Sequence, residues 1–550
     1  MKQRIRWRSW LIPLTATGVA FFLYSFSAPP GLTWSNFGAD GAELLTVALT
    51  NGVPHPPGYP LYILLLQGWL RLLSWVTGGD NFAWYGNLLS CLFAAASVGV
   101  TVRVAMHVLV EFQVNLLSPP SVTDKENLYL DSATAQWLWV YAGLVGVAWA
   151  IAPLPWSQAV ITEVYALHML LIALLGWVLF VHPARAWWLA ILIAFGVAHH
   201  LTFFLFLPAV LYYRWQVTGG GWRQLWQSAG MMALGVAAGL LLYLRIPLAA
   251  ASDPPAPVNW GYPDNWAGFW WLVSGAAYRG YLFGAPSSTI LSRIAAWANT
   301  ITTQYTPVGL AIGLLGLSHW DRHQPHLRNF SLLWMIPVSI YSINYYTRDS
   351  AIYLLPVVWL VALWVGVGYA LIAQWLVAEG ARLWQRLRQA SGNPPQGEWS
   401  FTRVAAVLIV VAVVGLTSLT GWRWSTQSLR QDRQATEFIA NVLTVVEPDS
   451  IIVSSADAET FSLWYAAWGS GVLIEQAPDV VLINYALYQF PWYRRLVATL
   501  YPDVVGQSQS IEELLARNGD KRTIFFSEKF SFWPEEQMTP VGPIWRYVAP

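Results

Sequence analysis

The sequence predicts a polytopic α-helical membrane protein with a small α/β domain at its C-terminus. Three observations predict it. The 550-residue chain is 56% hydrophobic and only 11% charged, whereas a soluble domain of this size carries about a quarter charged residues. Up to residue 424 its apolar residues fall in runs of about 20, the length that crosses a bilayer. Beyond that point short β-branched runs alternate with helix-like ones.

Taken in order, about eleven spans are expected, near 10–27, 59–77, 82–112, 135–152, 157–180, 186–212, 228–250, 304–318, 330–345, 351–377 and 403–421. The first follows a basic stretch (Lys2, Arg4, Arg6, Arg8) and lacks a small-residue cleavage site, so it reads as an uncleaved helix with a cytoplasmic N-terminus. One topology puts the clusters Arg214/Arg223, Arg322/Arg328 and Arg382/Arg386/Arg388 on that same side. The loops holding Asp40, residues 251–287, Arg348-Asp349 and the tail then lie outside, in what is expected to be the plasma membrane. The same alternation sets the Pro153–Ser157 turn inside, which conflicts with an outer role for Glu163 unless a helix between 59 and 157 is miscounted or re-entrant. The 35 tryptophans, many near segment ends, suit an interfacial belt.

Residues 1–424 are thus expected to form the transmembrane domain, with external loops at 28–58 and 251–287, and residues 425–550 a soluble extracytoplasmic domain. Gln385–Trp399, with Ser391-Gly392-Asn393-Pro394-Pro395, reads as a linker between spans. In the tail, strands are expected at 451–455, 480–484 and 523–527, with helices near 429–446, 458–468, 491–500 and 510–517. A net charge of +1 gives no field for nucleic acid. The single Cys91, inside an apolar run, excludes an intrachain disulfide. No Walker or Rossmann glycine fingerprint is present, which argues against a nucleotide-driven pump.

The chain reads as organised around Thr33–Tyr62, a polar stretch between the first two spans. Asp40 and Glu43, three apart, share a helix face and could meet one ligand. They also fit a capping box before the apolar run LLTVAL, with Asp40 as N-cap. The elbow His55-Pro56-Pro57-Gly58-Tyr59-Pro60 sets the angle at which the chain enters the next span, and its imidazole can orient a carboxylate or meet a phosphate. Ionisable groups at span ends are costly and so are candidates. These are Glu163, Tyr165 and His168 in TEVYALH, His199 and His200 in AHHLTF, and Arg245, whose fork suits phosphate. Each has a structural alternative: a satisfied core histidine, or an arginine snorkelling to the interface. His199-His200 point to different faces without matching Cys/His spacing, so no metal site is expected. Asn259, Trp260, Tyr278 and Arg279 lie in an aromatic- and amide-rich loop that could hold a sugar or merely line the interface. Arg348 and Asp349 could be ligand groups or a salt-bridged turn.

These pieces resemble a family. Asp40-x-x-Glu43, HPPGYPLY, EVYALH, AHHLTF, VNWG and DSAIYLLP, spread over about residues 30–360, are similar to a GT-C family of membrane glycosyltransferases, formerly of unknown function, that includes the animal plexin-type protein O-mannosyltransferase. PDVVLINYALYQFPWYRRL in the tail is a further echo. The resemblance implies a GT-C bundle with an extracytoplasmic site, a polyprenyl-phosphate sugar donor, and a catalytic acid residue in the first outer loop, matched best by Asp40 and next by Glu43. The acceptor would be an extracytoplasmic protein or glycolipid. No cofactor is firmly implied, and assistance by a divalent cation stays open. A transporter or flippase using the same buried ionisable groups, and a non-catalytic scaffold in which Asp40 only caps its helix, are the alternatives.

Overall fold

The computed structural model describes residues 2–117, 132–390, 401–531 and 533–548, so the segment 391–399 of the expected linker lies outside it. The chain begins with α1 (Lys2–Ser27), the short α2 (Asp40–Thr50), α3 (Pro60–Thr77) and α4 (Phe82–Leu117). It continues through α5 (Ser132–Ala150), α6 (Pro153–Ala159), α7 (Tyr165–Val181), α8 (Ala186–His199), α9 (Leu207–Val217), α10 (Trp222–Leu241) and α11 (Arg245–Ala250). Then come α12 (Trp266–Val273), α13 (Ile290–His323), α14 (Pro325–Asn344), α15 (Leu355–Ala390) and α16 (Phe401–Gln427).

Among the described residues, five segments are long and apolar enough to cross a membrane: Trp10–Ser27, Phe82–Glu111, Trp222–Ala250, Ser350–Leu387 and Ala406–Gln427. Trp137–Ala150 and Pro153–Ala159, bent by 69°, make a sixth if taken as one span. By that measure the structure accounts for five or six of the eleven expected spans. Of the others, 59–77 and 330–345 fall in the continuous helices α3 and α14, which are long enough but not apolar enough, and the remaining three are shorter or interrupted. The expected 157–180 span is interrupted between the end of α6 at Ala159 and the start of α7 at Tyr165, the 186–212 span changes to a 3₁₀ turn at Leu201–Phe206, and 304–318 is the second part of a helix kinked at Thr306. The α5–α6 bend is also where the sequence left the count unsettled. It turns the chain so that Glu163 reaches the same cavity as Asp40.

One arginine holds both breaks together. Pro155 and Pro307 have no N–H, so the carbonyls four residues earlier, at Ile151 and Thr303, lose their helical donors. Arg423 of α16 is buried and donates to both, at 2.7 Å and 2.8 Å, and to the Gln304 carbonyl at 2.8 Å. The Gln304 side chain in turn accepts from the Leu154 N–H at the start of α6, at 2.9 Å. The bent helices therefore keep their backbone groups satisfied where water is scarce.

The tail forms a five-stranded sheet of order β2-β1-β3-β5-β4 from β1 (Ile451–Ser454), β2 (Val481–Asn484), β3 (Ile524–Phe526), β4 (Met538–Val541) and β5 (Ile544–Tyr547). The first three strands pair parallel and are wholly buried, which their apolar runs predict, while β4 and β5 add an antiparallel edge. Helices Gln434–Leu443, Asp457–Trp464, Pro491–Leu500 and Ile511–Asn518 match the expected ones closely. This region clasps the stretch before α2. Asp432 accepts from the Thr33 and Ser35 hydroxyls at 2.6 and 2.7 Å, and the Trp34 indole donates to the Ser462 hydroxyl at 2.9 Å. Arg495 pairs with Asp264 at 2.7 Å, tying the helix Pro491–Leu500 to the loop before α12.

Candidate functional site

A cavity of about 1310 Å³ lies where α2, the proline elbow, the α6–α7 link, the loop after α12, the α14–α15 connection and the turn at Asp457 meet. Its geometry starts with the elbow. Gly52 lies so close to the Val258 carbonyl that a Cβ there would come within 2.2 Å, and Val53 and Asn259 form a parallel bridge. Gly58 (φ +95) and then Tyr59 (φ 38) turn the chain before Pro60 opens α3. Arg245 pins this turn by donating to the Gly52 carbonyl and the Asn51 side chain, at 3.1 and 3.3 Å. The elbow thereby holds His55 over the first turn of α2.

Asp40 is not the N-cap of α2. Ala39 holds that position and no side chain caps the helix; Asp40 is the first helical residue. The box does not close because Glu43 turns to the histidine instead. Fully buried Glu43 accepts from the His55 backbone N–H at 2.9 Å and forms an ion pair with His55 Nδ1. The other ring nitrogen, Nε2, faces Asp40 Oδ2 at 3.7 Å. The shared face of the i, i+3 pair is thus occupied by an imidazole from the chain itself. Asp40 lines the cavity with 37% of its side chain open, so a substrate can reach it, while Glu43 does not line the cavity.

The charges respond accordingly. Burial raises the Asp40 carboxyl; His55 opposes the rise and Glu43, Asp457 and Asp349 add to it, leaving it at about 7. Burial alone would lower the His55 imidazole, but Glu43 and Asp40 outweigh it and lift it to about 10. Near neutrality the arrangement is an imidazolium held by one buried carboxylate and facing a second that is poised to take a proton.

Aromatic rings line the same cavity as this carboxylate. His55, Tyr59, His200, Tyr353, Tyr345, Tyr281 and Tyr278 all line the cavity. Each touches the next, and Tyr278 returns to His55, with ring centroids between 5.2 and 6.5 Å apart. The result is a closed collar. Glu163, Tyr165, Arg279, Arg348 and Asp349 also face the cavity. Arg348 and Asp349 do not pair with each other and so do not form the salt-bridged turn, while Arg279 donates to the Ser274 hydroxyl at 2.7 Å.

Other expected site residues stand behind the wall. His168 and His199 are buried against His200, with ring centroids 5.7 and 6.3 Å away, and do not reach the cavity. Asn259 and Trp260 form the outer side of the elbow bridge, and Arg245 serves the elbow rather than the cavity. Among the described residues no group of three or more His, Cys, Asp or Glu is arranged to hold a metal ion.

Two charged cavity residues were not anticipated. Arg293 reaches from α13 to the carbonyls of Ser342 and Tyr345, at 3.1 and 2.6 Å, and fixes the 342–350 loop. Nothing in a helical run signals such a cross-link. Asp457 comes from the tail, and its signal was its place just after a predicted strand, where α/β folds put their sites.

Residues 40–218 match the family described as Protein O-mannosyl-transferase TMEM260 N-terminal domain. The fold is similar to that of ArnT from Cupriavidus metallidurans bound to undecaprenyl phosphate, at 14% identity and a TM-score of 0.54, covering 98% of each chain. The apo structure of ArnT from the same organism aligns over 96% of this chain and 93% of its own, at 13% identity and a TM-score of 0.47. Over residues 40–218 the chain is thus similar to the TMEM260 protein O-mannosyl-transferase N-terminal domain family, and its fold is similar to that of ArnT.

Proposed function

We propose that this protein transfers a sugar, mannose by its family, from a polyprenyl-phosphate donor to the hydroxyl of an extracytoplasmic protein in one inverting displacement. The observation that carries the reading is Asp40, an accessible carboxylate with a raised pKa that faces His55 in a cavity lined by an aromatic collar. The acceptor oxygen attacks the anomeric carbon as its proton passes to Asp40. The bond from that carbon to the phosphate oxygen breaks, and the polyprenyl phosphate leaves with the electron pair. Arg348, which makes no hydrogen bond or ion pair among the described residues, and Arg279 are the cations near the departing phosphate. Tyrosine faces suit the C–H face of a sugar. Glu43 acts through His55 as a positioning residue.

The lipid donor is supported by the structural likeness to ArnT, whose related structure holds undecaprenyl phosphate. In this reading the N-terminus is cytoplasmic, the cavity and residues 425–550 lie on the outer face of the cell membrane, and those residues act as a distinct domain. The test uses purified protein with undecaprenyl-phosphate [³H]mannose and Ser/Thr peptides. Asp40→Asn is expected to lower transfer by about 10²–10⁴-fold, the usual weight of a general base, without lowering the melting temperature. An Asn variant that transfers at the wild-type rate sinks the assignment.

A further inference from the structure

Asp457 is the charged residue that the C-terminal region contributes to the cavity among the described residues, and the chemistry above leaves it unused. It begins the helix Asp457–Trp464, just beyond the carboxyl end of β1. β1 lies between β2 and β3, so the chain leaves it to one side and returns on the other. The crevice at the strand ends of such a switch point is where open parallel sheets bind ligands. The turn is held from β3, because Glu528 accepts from the Ala456 N–H at 2.9 Å. It is also held against the site, since Trp34, another cavity residue, donates to Ser462 on the same helix. Asp457 itself is exposed to the cavity and makes no hydrogen bond or ion pair among the described residues. Its charge interacts with His55 and Glu43 and adds to the rise at the candidate base Asp40.

Resting on the transfer reading, we propose that Asp457 binds the acceptor, its carboxylate receiving a hydrogen bond from a donor carried beside the reacting hydroxyl. A donor carried into the cavity gives up its water and is left unsatisfied unless it finds a partner, and a carboxylate without a partner at the cavity wall supplies one. A cationic side chain satisfies it best, because charge-assisted hydrogen bonds are the stronger ones. The acceptor class is therefore a polypeptide whose Ser or Thr is flanked by Lys or Arg. The C-terminal region then selects the acceptor, while the membrane-side residues hold the donor.

The experiment uses the full-length protein, undecaprenyl-phosphate [³H]mannose and three peptides alike except that the central Thr is flanked by Lys, Ala or Glu. Transfer to peptide and release of free mannose to water are measured together, with a melting curve for each variant. Wild type is expected to show its lowest KM with the Lys peptide. At about pH 9, where Asp40 is in its basic form with or without the Asp457 charge, Asp457→Asn should raise that KM by about tenfold while kcat, mannose release and melting temperature stay unchanged. Asp457→Lys should move the preference to the Glu peptide. The proposal is overturned if Asp457→Asn keeps the Lys preference, or if it loses mannose release while still melting normally. Wild type that releases mannose but glycosylates none of the peptides also overturns it, and leaves the donor half of the proposed function standing. Wild type that does not consume the donor at all defeats the proposed function itself.

Discussion

At the residue scale, Asp40, Glu43 and His55 divide the work by exposure. Glu43 has no open surface and gives both oxygens to one histidine, whereas Asp40 keeps 37% of its side chain open. Removing Glu43 leaves a buried imidazolium without its partner, which costs about 3–5 kcal/mol. Glu43→Ala is therefore expected to lower the thermal midpoint in detergent sharply, whereas Asp40→Asn leaves it in place. The same trio sets the pH dependence. Asp40 is raised to about 7 by burial, with Glu43, Asp457 and Asp349 adding to the rise against His55. Its basic form therefore accumulates as pH rises through 7. The kcat/KM for transfer should climb over pH 6–8 and level above; a flat profile across that range would remove Asp40 from the base role. The sequence brought these residues together because i, i+3 spacing guarantees a common helix face. It did not reveal that the object they face is His55, since that depends on where the elbow folds back.

At the element scale, the molecule works with broken helices. The breaks fall at Pro153, Pro155 and Pro307, of which the sequence reading marked only the turn at 153–157, and their repair comes from α16, about 120 residues beyond the nearer break and about 270 beyond the farther. Arg423→Met keeps the bulk and removes five donors. It should strand the Ile151 and Thr303 carbonyls and lower stability by about 3 kcal/mol or more, measured as a drop in melting temperature. Because α6 carries the chain toward Glu163, reduced transfer should accompany that drop; Arg423→Lys, with a single charged tip, is expected to restore only part of it. The collar is likewise an assembly of elements. Its seven rings come from the elbow, the end of α8, the loop after α12, the end of α14 and the turn before α15. Each tyrosine taken alone read equally well as interfacial decoration.

At the scale of the whole molecule, the tail and the membrane-side helices share one hydrophobic core. Asp432, accepting from Thr33 and Ser35, is a joint between them. Asp432→Ala leaves two hydroxyls without their acceptor, at a cost of about 1–3 kcal/mol. The expected readouts are faster protease cutting within residues 28–39 and a lower transfer rate, with the sheet's own protection unchanged.

Composition and periodicity were enough for the membrane class, the order of most helices and the three parallel strands of the tail, because these follow from local apolar patterning, but not for the antiparallel edge β4–β5. The candidate residues at span ends could also be read directly, since burying an ionisable group is costly wherever the chain runs. Which of them share a cavity was a different matter. Asp40, His55, Glu163, Tyr165, His200, Tyr278, Arg348 and Asp349 converge, while His168, His199, Asn259, Trp260 and Arg245 support them from behind. Asp457 joins them from more than 400 residues beyond Asp40. A side chain's cost of burial is local, but its neighbours are set by how helices bend and pack, and here the bend at α5–α6 and the clasp of the tail on α2 made that choice.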